Sequence, residues 1–191
     1  MSAGRHENKL LITTSREPSR RTRSFIKDLV TTIPHAVKFN RGKATLLDLS
    51  SIARRTGAYG VLIVLERKAN PSALTFHIPE PGELKKVSLL KITSVKLIRE
   101  MPDSQKPLGI NKIIMNLKGT EKDKLLAETA EELIRALRPE ITRYETEVEP
   151  AVEVILGRRE DGVVVNFVCT STGRPCGPRF VVTKVIRYDQ R

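Results

Sequence analysis

Residues 10–33, LLITTSREPSRRTRSFIKDLVTTI, carry the pattern that decides the fold. The apolar run at residues 10–12 predicts a buried strand. The helix predicted after it begins near Pro18, because proline fits the first helical turn. Apolar residues then recur at helical spacing and define one buried face, made of Phe25, Ile26, Leu29, Val30 and Ile33. The stretch therefore predicts a strand followed by an amphipathic helix.

Cationic side chains surround the predicted start of this helix, next to the hydroxyl groups of residues 13–15. Backbone N–H groups point outward at a helix N-terminus, and the helix dipole favours an anion there. The pattern therefore favours a phosphate-binding site, with an ordinary solvated basic face as the alternative. The cations are Arg16, Arg20, Arg21, Arg23 and Lys27.

The chain of 191 residues is strongly basic, with 34 basic and 22 acidic residues and a net charge of +12. Residues 1–68 carry a net charge of +9, whereas residues 119–161 carry −5. Such charge indicates a polyanionic partner, either nucleic acid or an anionic membrane surface. No apolar run approaches the roughly 18 residues of a membrane span, and the N-terminal MSAGRHENK is too polar for a signal peptide. We therefore expect a soluble, cytoplasmic protein that meets nucleic acid mainly through its N-terminal half.

The succession of strand, polar turn, helix, proline and strand occurs twice, in residues 10–40 and again in residues 112–145. Residues 101–111, MPDSQKPLGIN, contain two prolines and a glycine and predict a linker. We therefore predict one domain of two structurally similar α/β halves, at residues 9–100 and 112–191, joined by this linker.

Catalytic motifs are absent from the sequence. The histidines His6, His35 and His77 each stand alone, and there is no G-x-S-x-G, H-E-x-x-H or Walker-type motif. Cys169 and Cys176 have the spacing C-x6-C without a neighbouring histidine, whereas zinc needs about four ligands. We interpret both cysteines as ordinary buried or half-buried thiols and expect no catalysis, metal or cofactor.

Two familiar classes of nucleic-acid reader fit the sequence poorly. Residues 49–57 look like the first helix and turn of a helix-turn-helix motif, but the strand-like YGVLIVL of residues 59–65 follows where a recognition helix should stand. Aromatic residues make up only 4% of the chain, which disfavours readers that stack bases on an aromatic sheet. Most affinity would then come from lysine and arginine on phosphates.

Three stretches of the sequence together resemble the Brix domain family of ribosome-biogenesis proteins. Their order and spacing match the family across nearly the whole chain, most closely its archaeal members and the small-subunit-processome branch. The absence of long charged extensions favours the archaeal form. The stretches are LITTSREPS at residues 11–19, Asn40-Arg41-Gly42, and Gly177-Pro178-Arg179-Phe180.

The resemblance implies two α/β halves, each similar to the anticodon-binding domain of class IIa aminoacyl-tRNA synthetases. It also implies binding of pre-ribosomal RNA and assistance in rRNA processing and assembly, without catalysis. Carried onto this sequence, the family motifs give six candidate residues, which are Ser15, Arg16, Ser19, Asn40, Arg41 and Arg179.

Residues and resemblance together predict an assembly factor that holds rRNA in a basic groove contributed by both halves. The expected partners are ribosomal RNA or its precursor and other assembly factors, and the expected state is a monomer. Two alternatives stay open: a tRNA-binding accessory protein, and a scaffold whose arginine-rich face docks an acidic protein. The predicted RNA-binding residues are Ser15, Arg16, Ser19, Arg20, Arg21, Arg23, Lys27, Asn40, Arg41, Lys43 and Arg179, with Arg54 and Arg55 as lesser candidates.

Overall fold

The computed structural model describes residues 9–142 and 150–188, and confirms the predicted mixed α/β class. Within these ranges the helices are α1 (Arg20–Thr32), α2 (Leu46–Arg55) and α3 (Lys124–Leu137). The strands are β1 (Lys9–Thr14), β2 (Ala36–Lys38), β3 (Ala58–Arg67), β4 (Asn70–Glu80), β5 (Glu83–Lys96), β6 (Ile113–Asn116), β7 (Glu140–Thr142), β8 (Val152–Arg159), β9 (Gly162–Cys169), β10 (Arg174–Pro175) and β11 (Arg179–Arg187).

The described strands form one sheet in the order β2-β1-β3-β4-β5-β11-β9-β8-β6-β7, and the short β10 pairs with β9. β1 is parallel to both of its neighbours, β2 and β3, and β6 is parallel to both β7 and β8. Antiparallel strands fill the centre, where β5 pairs with β11. From either edge the sheet has the same succession of two parallel pairings followed by antiparallel ones.

The sheet separates two apolar cores. α1 and α3 pack on one face and share the larger core, in which the ring centroids of Phe25 and Phe180 lie 5.9 Å apart. α2 packs Leu49 against the opposite face, because Val61 and Ile63 point away from α1 through the alternation of side chains along a strand. The other face of α1 is left exposed.

Cys169 and Cys176 are joined by a disulfide bond, which corrects our interpretation of them as free thiols. The turn between β9 and β11 doubles back through β10 and brings the Cα atoms of the two cysteines to 5.6 Å from each other. The spacing of the cysteines in the sequence does not reveal this turn. Directly after it, Gly177 lies so close to α1 that an added Cβ would be 2.5 Å from Cγ2 of Thr32.

Helix and strand boundaries differ from the sequence predictions in three places. Ser19 is the N-cap of α1, so Pro18 precedes the helix and does not lie in its first turn. α3 is capped by Asp123, and Thr120–Lys122 before it forms a separate 3-10 turn, although Thr120 and Asp123 have the spacing of a capping box. Of the strand predicted at residues 141–145, the first two residues belong to β7 and the others lie outside the described ranges.

Candidate nucleic-acid interface

The N-terminus of α1 is occupied by a carboxylate of the protein itself. Glu66 in β3 accepts a hydrogen bond from the backbone N–H of Ser19, with an N–Oε2 distance of 2.9 Å. The Ser19 hydroxyl accepts from the N–H of Thr22 at 3.2 Å and donates to the carbonyl of Ala69 at 3.0 Å. Burial alone would raise the pKa of Glu66, but hydrogen bonds from Thr22 and Ser19 outweigh it and lower the pKa. A carboxylate of the protein itself therefore lies at the helix end where the sequence predicted a phosphate, and Ser19 acts as the N-cap.

Two further predicted residues, Arg21 and Ser15, are engaged by the fold. Arg21 donates to both carboxylate oxygens of Glu100, at 2.5 and 2.9 Å, and to the carbonyl of Val95 at 2.7 Å. This hydrogen-bonded pairing raises the pKa of Arg21 and lowers that of Glu100. The backbone N–H of Ser15 donates to the carbonyl of Val64 at 3.0 Å and extends the pairing of β1 with β3. Both residues thus fasten the first strand and helix to the sheet.

The remaining cations gather around a cleft of about 380 Å³ between the start of α1 and the turn that follows β2. We call it the cationic cleft. Two exposed cations adjoin it. Lys43 follows in the same turn, and Arg16 lies close enough for its charge to lower the pKa of Arg41. No acidic side chain is among its lining residues, which are Thr14, Pro18, Arg23, Ile26, Lys38, Phe39, Asn40, Arg41 and Gly42.

Arg41 is held in a fixed orientation at the cleft. Its Nε donates to the carbonyl of Ala44 at 3.2 Å, and its Nη1 donates to the carbonyl of Thr14 at 3.3 Å. Gly42 permits this turn because its φ of 52° lies in the left-handed region. Burial, and secondarily the nearby charge of Arg16, lower the pKa of Arg41, since an uncompensated charge is disfavoured there. Two backbone carbonyls therefore aim this guanidinium, and no described carboxylate pairs with it.

A second cationic surface, which we call the α1 face, runs along the exposed side of the helix. Arg20, Arg23 and Lys27 lie on this side at helical spacing, and Arg23 also lines the cationic cleft. Lys27 borders a groove of about 610 Å³ between α1 and the linker, which Arg99 and Lys106 also line. The cleft, the α1 face and the groove therefore adjoin one another as one basic region, in which Asp28 is an acidic residue that lines the groove.

Arg179 lies away from this region. Its neighbour Phe180 faces α1, so the alternation of side chains along β11 places Arg179 on the opposite face of the sheet. There its Nε donates to Oδ1 of Asn166 at 2.5 Å. Arg54 and Arg55 are exposed at the end of α2, which also packs on that opposite face. The basic region is therefore built by the first half and the linker, and Arg179 lies on the opposite face of the sheet.

Three cations of the basic region were missed in the sequence: Lys38, Arg99 and Lys106. Lys38 could have been found, because the alternation of the strand predicted at residues 36–40 places it on the same side as Asn40. Arg99 and Lys106 line the groove because the linker passes beside α1. No local pattern predicts that passage.

Several observations bear on other classes of function. No group of three or more His, Cys, Asp or Glu side chains that could hold a metal occurs in the described part of the chain. Burial lowers the pKa of His77 to about 4, so this side chain is neutral near pH 7. His35 is exposed, and His6 lies outside the described residues. Among the residues that the structure describes, no helix is long and apolar enough to span a bilayer.

No family model matches the sequence, but known proteins do. The chain is 32% identical over 174 residues to the "Probable Brix domain-containing ribosomal biogenesis protein" of Pyrobaculum aerophilum, covering 90% of both chains. The crystal structure of a probable ribosomal biogenesis protein from Aeropyrum pernix K1 matches with a TM-score of 0.77 and 29% identity, over 92% of this chain and 96% of that one. A shorter match, 30% identical over 41% of this chain and 27% of the relative, is to the U3 small nucleolar ribonucleoprotein protein IMP4 of Saccharomyces cerevisiae. The chain therefore belongs to the Brix domain family of ribosomal biogenesis proteins.

Proposed function

We propose that the protein is a non-catalytic assembly factor that binds ribosomal RNA or its precursor and assists rRNA processing and subunit assembly. One observation carries the proposal. The cations of the cleft and of the α1 face form no ion pair with any described residue: Arg16, Arg20, Arg23, Lys27, Lys38, Arg41 and Lys43.

Several cations of the second half are instead paired by the protein itself. Arg158 pairs with Asp123 at 3.0 Å, and Arg187 pairs with Glu132 at 2.7 Å, both within the second half. Seven unpaired cations on one side of the first half therefore form a local excess of charge that an external polyanion would neutralise. The names of the relatives, which refer to ribosomal biogenesis, favour ribosomal RNA as that polyanion.

The arrangement suits recognition of an RNA backbone. Cations on an exposed helix face can meet successive phosphates, and such contacts position RNA without reading its sequence. Each phosphate contact releases counterions, so the logarithm of the association constant should fall with the logarithm of the salt concentration by about 0.7–0.9 per contact.

The test compares two pairs of adjacent or nearby arginines by fluorescence anisotropy with rRNA fragments. We expect Arg20→Ala with Arg23→Ala to weaken binding and to reduce the salt slope by about 1.4–1.8, because two phosphate contacts are lost. The matched control is Arg54→Ala with Arg55→Ala, which removes the same charge from α2 on the other face of the sheet. Unchanged binding by the first pair, or an equal loss from both pairs, would contradict the proposal.

We also propose that each half is related to the anticodon-binding domain of class IIa aminoacyl-tRNA synthetases, and the repeated strand order supports this. On this view tRNA is a weak competitor for the same surface. Competition at 0.15 M salt should show that rRNA fragments displace tRNA, while stronger binding of tRNA would favour the accessory-protein alternative. Tight, salt-insensitive binding of a protein together with weak RNA binding would favour the scaffold alternative. We propose that the protein is cytoplasmic and monomeric. Light scattering can test the monomeric state.

A further inference from the structure

The cationic cleft has two chemically different walls. Pro18 and Phe39 line it on the apolar side, and Phe39 is half-buried because it also packs against the core beneath α2. Arg23, Lys38, Asn40 and Arg41 provide the polar surface. A phosphate alone needs only the polar wall. The volume of about 380 Å³ falls in the range of small-ligand sites, about 300–1,000 Å³.

We propose that the cationic cleft holds one unpaired nucleotide of the bound RNA, with its base against the apolar wall and its phosphate on the cations. This inference rests on the proposed function and assigns a specific subsite to it. A nucleotide combines the two properties of the cleft, since its base is flat and apolar on both faces while its phosphate is an anion. Unpaired bases splayed from an RNA chain commonly rest on aromatic side chains.

The polar wall is suited to both parts of a nucleotide. Asn40 is exposed and carries one amide donor group and one carbonyl acceptor, the combination that base edges present. Arg41 is already oriented by the carbonyls of Thr14 and Ala44, and its Nη2 has no hydrogen-bond partner among the described residues. A phosphate bound by Arg41 would therefore find its donor in place, without the entropic cost of ordering a free side chain.

The test uses three RNA hairpins with the same paired stem and loop: one fully paired, one with a single bulged nucleotide inserted, and one in which that bulged nucleotide is abasic. The abasic bulge keeps the backbone phosphate and removes the base. We expect the protein to bind the bulged hairpin about tenfold more tightly than the other two. A tenfold difference in affinity corresponds to about 1.4 kcal/mol, which lies within the range of about 1–3 kcal/mol that stacking of one base contributes. Fluorescence anisotropy at 0.15 M salt measures the three affinities.

Two variants connect the preference to the cleft. Phe39→Leu keeps an apolar side chain in the core but removes the ring, and Asn40→Ala removes an exposed amide that the core does not use. Each should reduce the preference for the bulged over the fully paired hairpin several-fold. Asn111→Ala, at an exposed asparagine outside the basic region, is the matched control and should keep the preference.

The possible results separate the subsite from the proposed function. Equal affinity for all three hairpins, or a preference that survives in Asn40→Ala and in folded Phe39→Leu, would overturn the subsite and leave RNA binding intact. Tight binding of the bulged and abasic hairpins alike would show a phosphate site without base recognition, which also overturns it. No binding of any RNA would overturn both.

Discussion

Adjacent arginines at the start of α1 should respond differently to the same substitution. Arg21 makes three hydrogen bonds, two with Glu100 and one with the carbonyl of Val95. Hydrogen bonds to charged groups contribute about 1.5–3 kcal/mol each, whereas exposed ion pairs contribute about 0–1. The side chains of Arg21 and Glu100 are 32% and 30% exposed, so this pair lies between those limits. We expect Arg21→Met to lower the free energy of unfolding by about 2 kcal/mol, which corresponds to about 4–8 °C in Tm for a domain of this size.

Arg20 lies next to it in the sequence but is exposed and forms no ion pair with a described residue. Arg20→Met should therefore change stability by less than about 0.5 kcal/mol, as is usual for surface substitutions. Methionine keeps the helix propensity of arginine at both positions. The loss of one phosphate contact should instead weaken rRNA binding about fourfold to fivefold at 0.15 M salt and lower the salt slope by about 0.7–0.9.

Urea denaturation gives the free energies of unfolding, and anisotropy titrations between 0.05 and about 0.4 M salt give the RNA slopes. The reasoning would be refuted if Arg21→Met left the stability unchanged and weakened RNA binding as much as Arg20→Met. It would equally fail if Arg20→Met destabilised the fold by about 2 kcal/mol.

The same pair predicts a pH dependence. The hydrogen bond from Arg21 is the main cause of the lowered pKa of Glu100. A carboxyl whose pKa is lower in the folded state contributes stability above its unfolded pKa of about 4.3, and that contribution disappears as the pH falls through the lowered value. The stability gap between the parent protein and Arg21→Met should therefore shrink from pH 7 to pH 3 in urea denaturation. A gap that is constant with pH would contradict the assigned cause.

The turn before β11 supports two further predictions. Replacing Cys169 and Cys176 together by alanine should lower the free energy of unfolding by about 2–3 kcal/mol, because the disulfide spans a sequence separation of 7 residues. Urea denaturation with and without dithiothreitol measures this, and a parent protein insensitive to the reductant would contradict it. Gly177→Ala should cost about 1–3 kcal/mol, since its Cβ would approach Thr32 Cγ2 to 2.5 Å. Gly157→Ala, with nothing within 4 Å of the new Cβ, is the control, and equal melting temperatures for the two variants would refute the close packing.

The elements of the first half could be predicted because their signals are local. The apolar face of α1, with Phe25, Ile26 and Leu29 at helical spacing, was visible in the sequence and is buried in the structure. The order of strand, helix and proline recurs in the sequence, and two parallel pairings recur at the opposite edges of the sheet. Hydrophobic periodicity depends on residues that are close together in the sequence, so it can be read without knowledge of the tertiary structure.

The roles of individual charges could not be predicted, because they are set by residues far away in sequence. Glu66 is 47 residues from Ser19, yet it fills the helix end that we had assigned to phosphate. Glu100 is 79 residues from Arg21, yet together with the carbonyl of Val95 it distinguishes that arginine from Arg20. Two adjacent arginines look identical in a sequence. Only the tertiary structure shows which one is paired.

The position of β11 has a consequence for synthesis on the ribosome. It is the last described strand of the chain, yet it lies between β5 and β9 in the middle of the sheet. About eighty residues separate the end of β5 from the start of β11, so a ribosome needs on the order of ten seconds to supply the partner of β5. Until then β5 is an open edge, whose unpaired N–H and C=O groups can pair with other nascent chains. The central seam of the sheet therefore closes only after β11 has been made, and a chain interrupted before β11 leaves this edge of β5 unpaired.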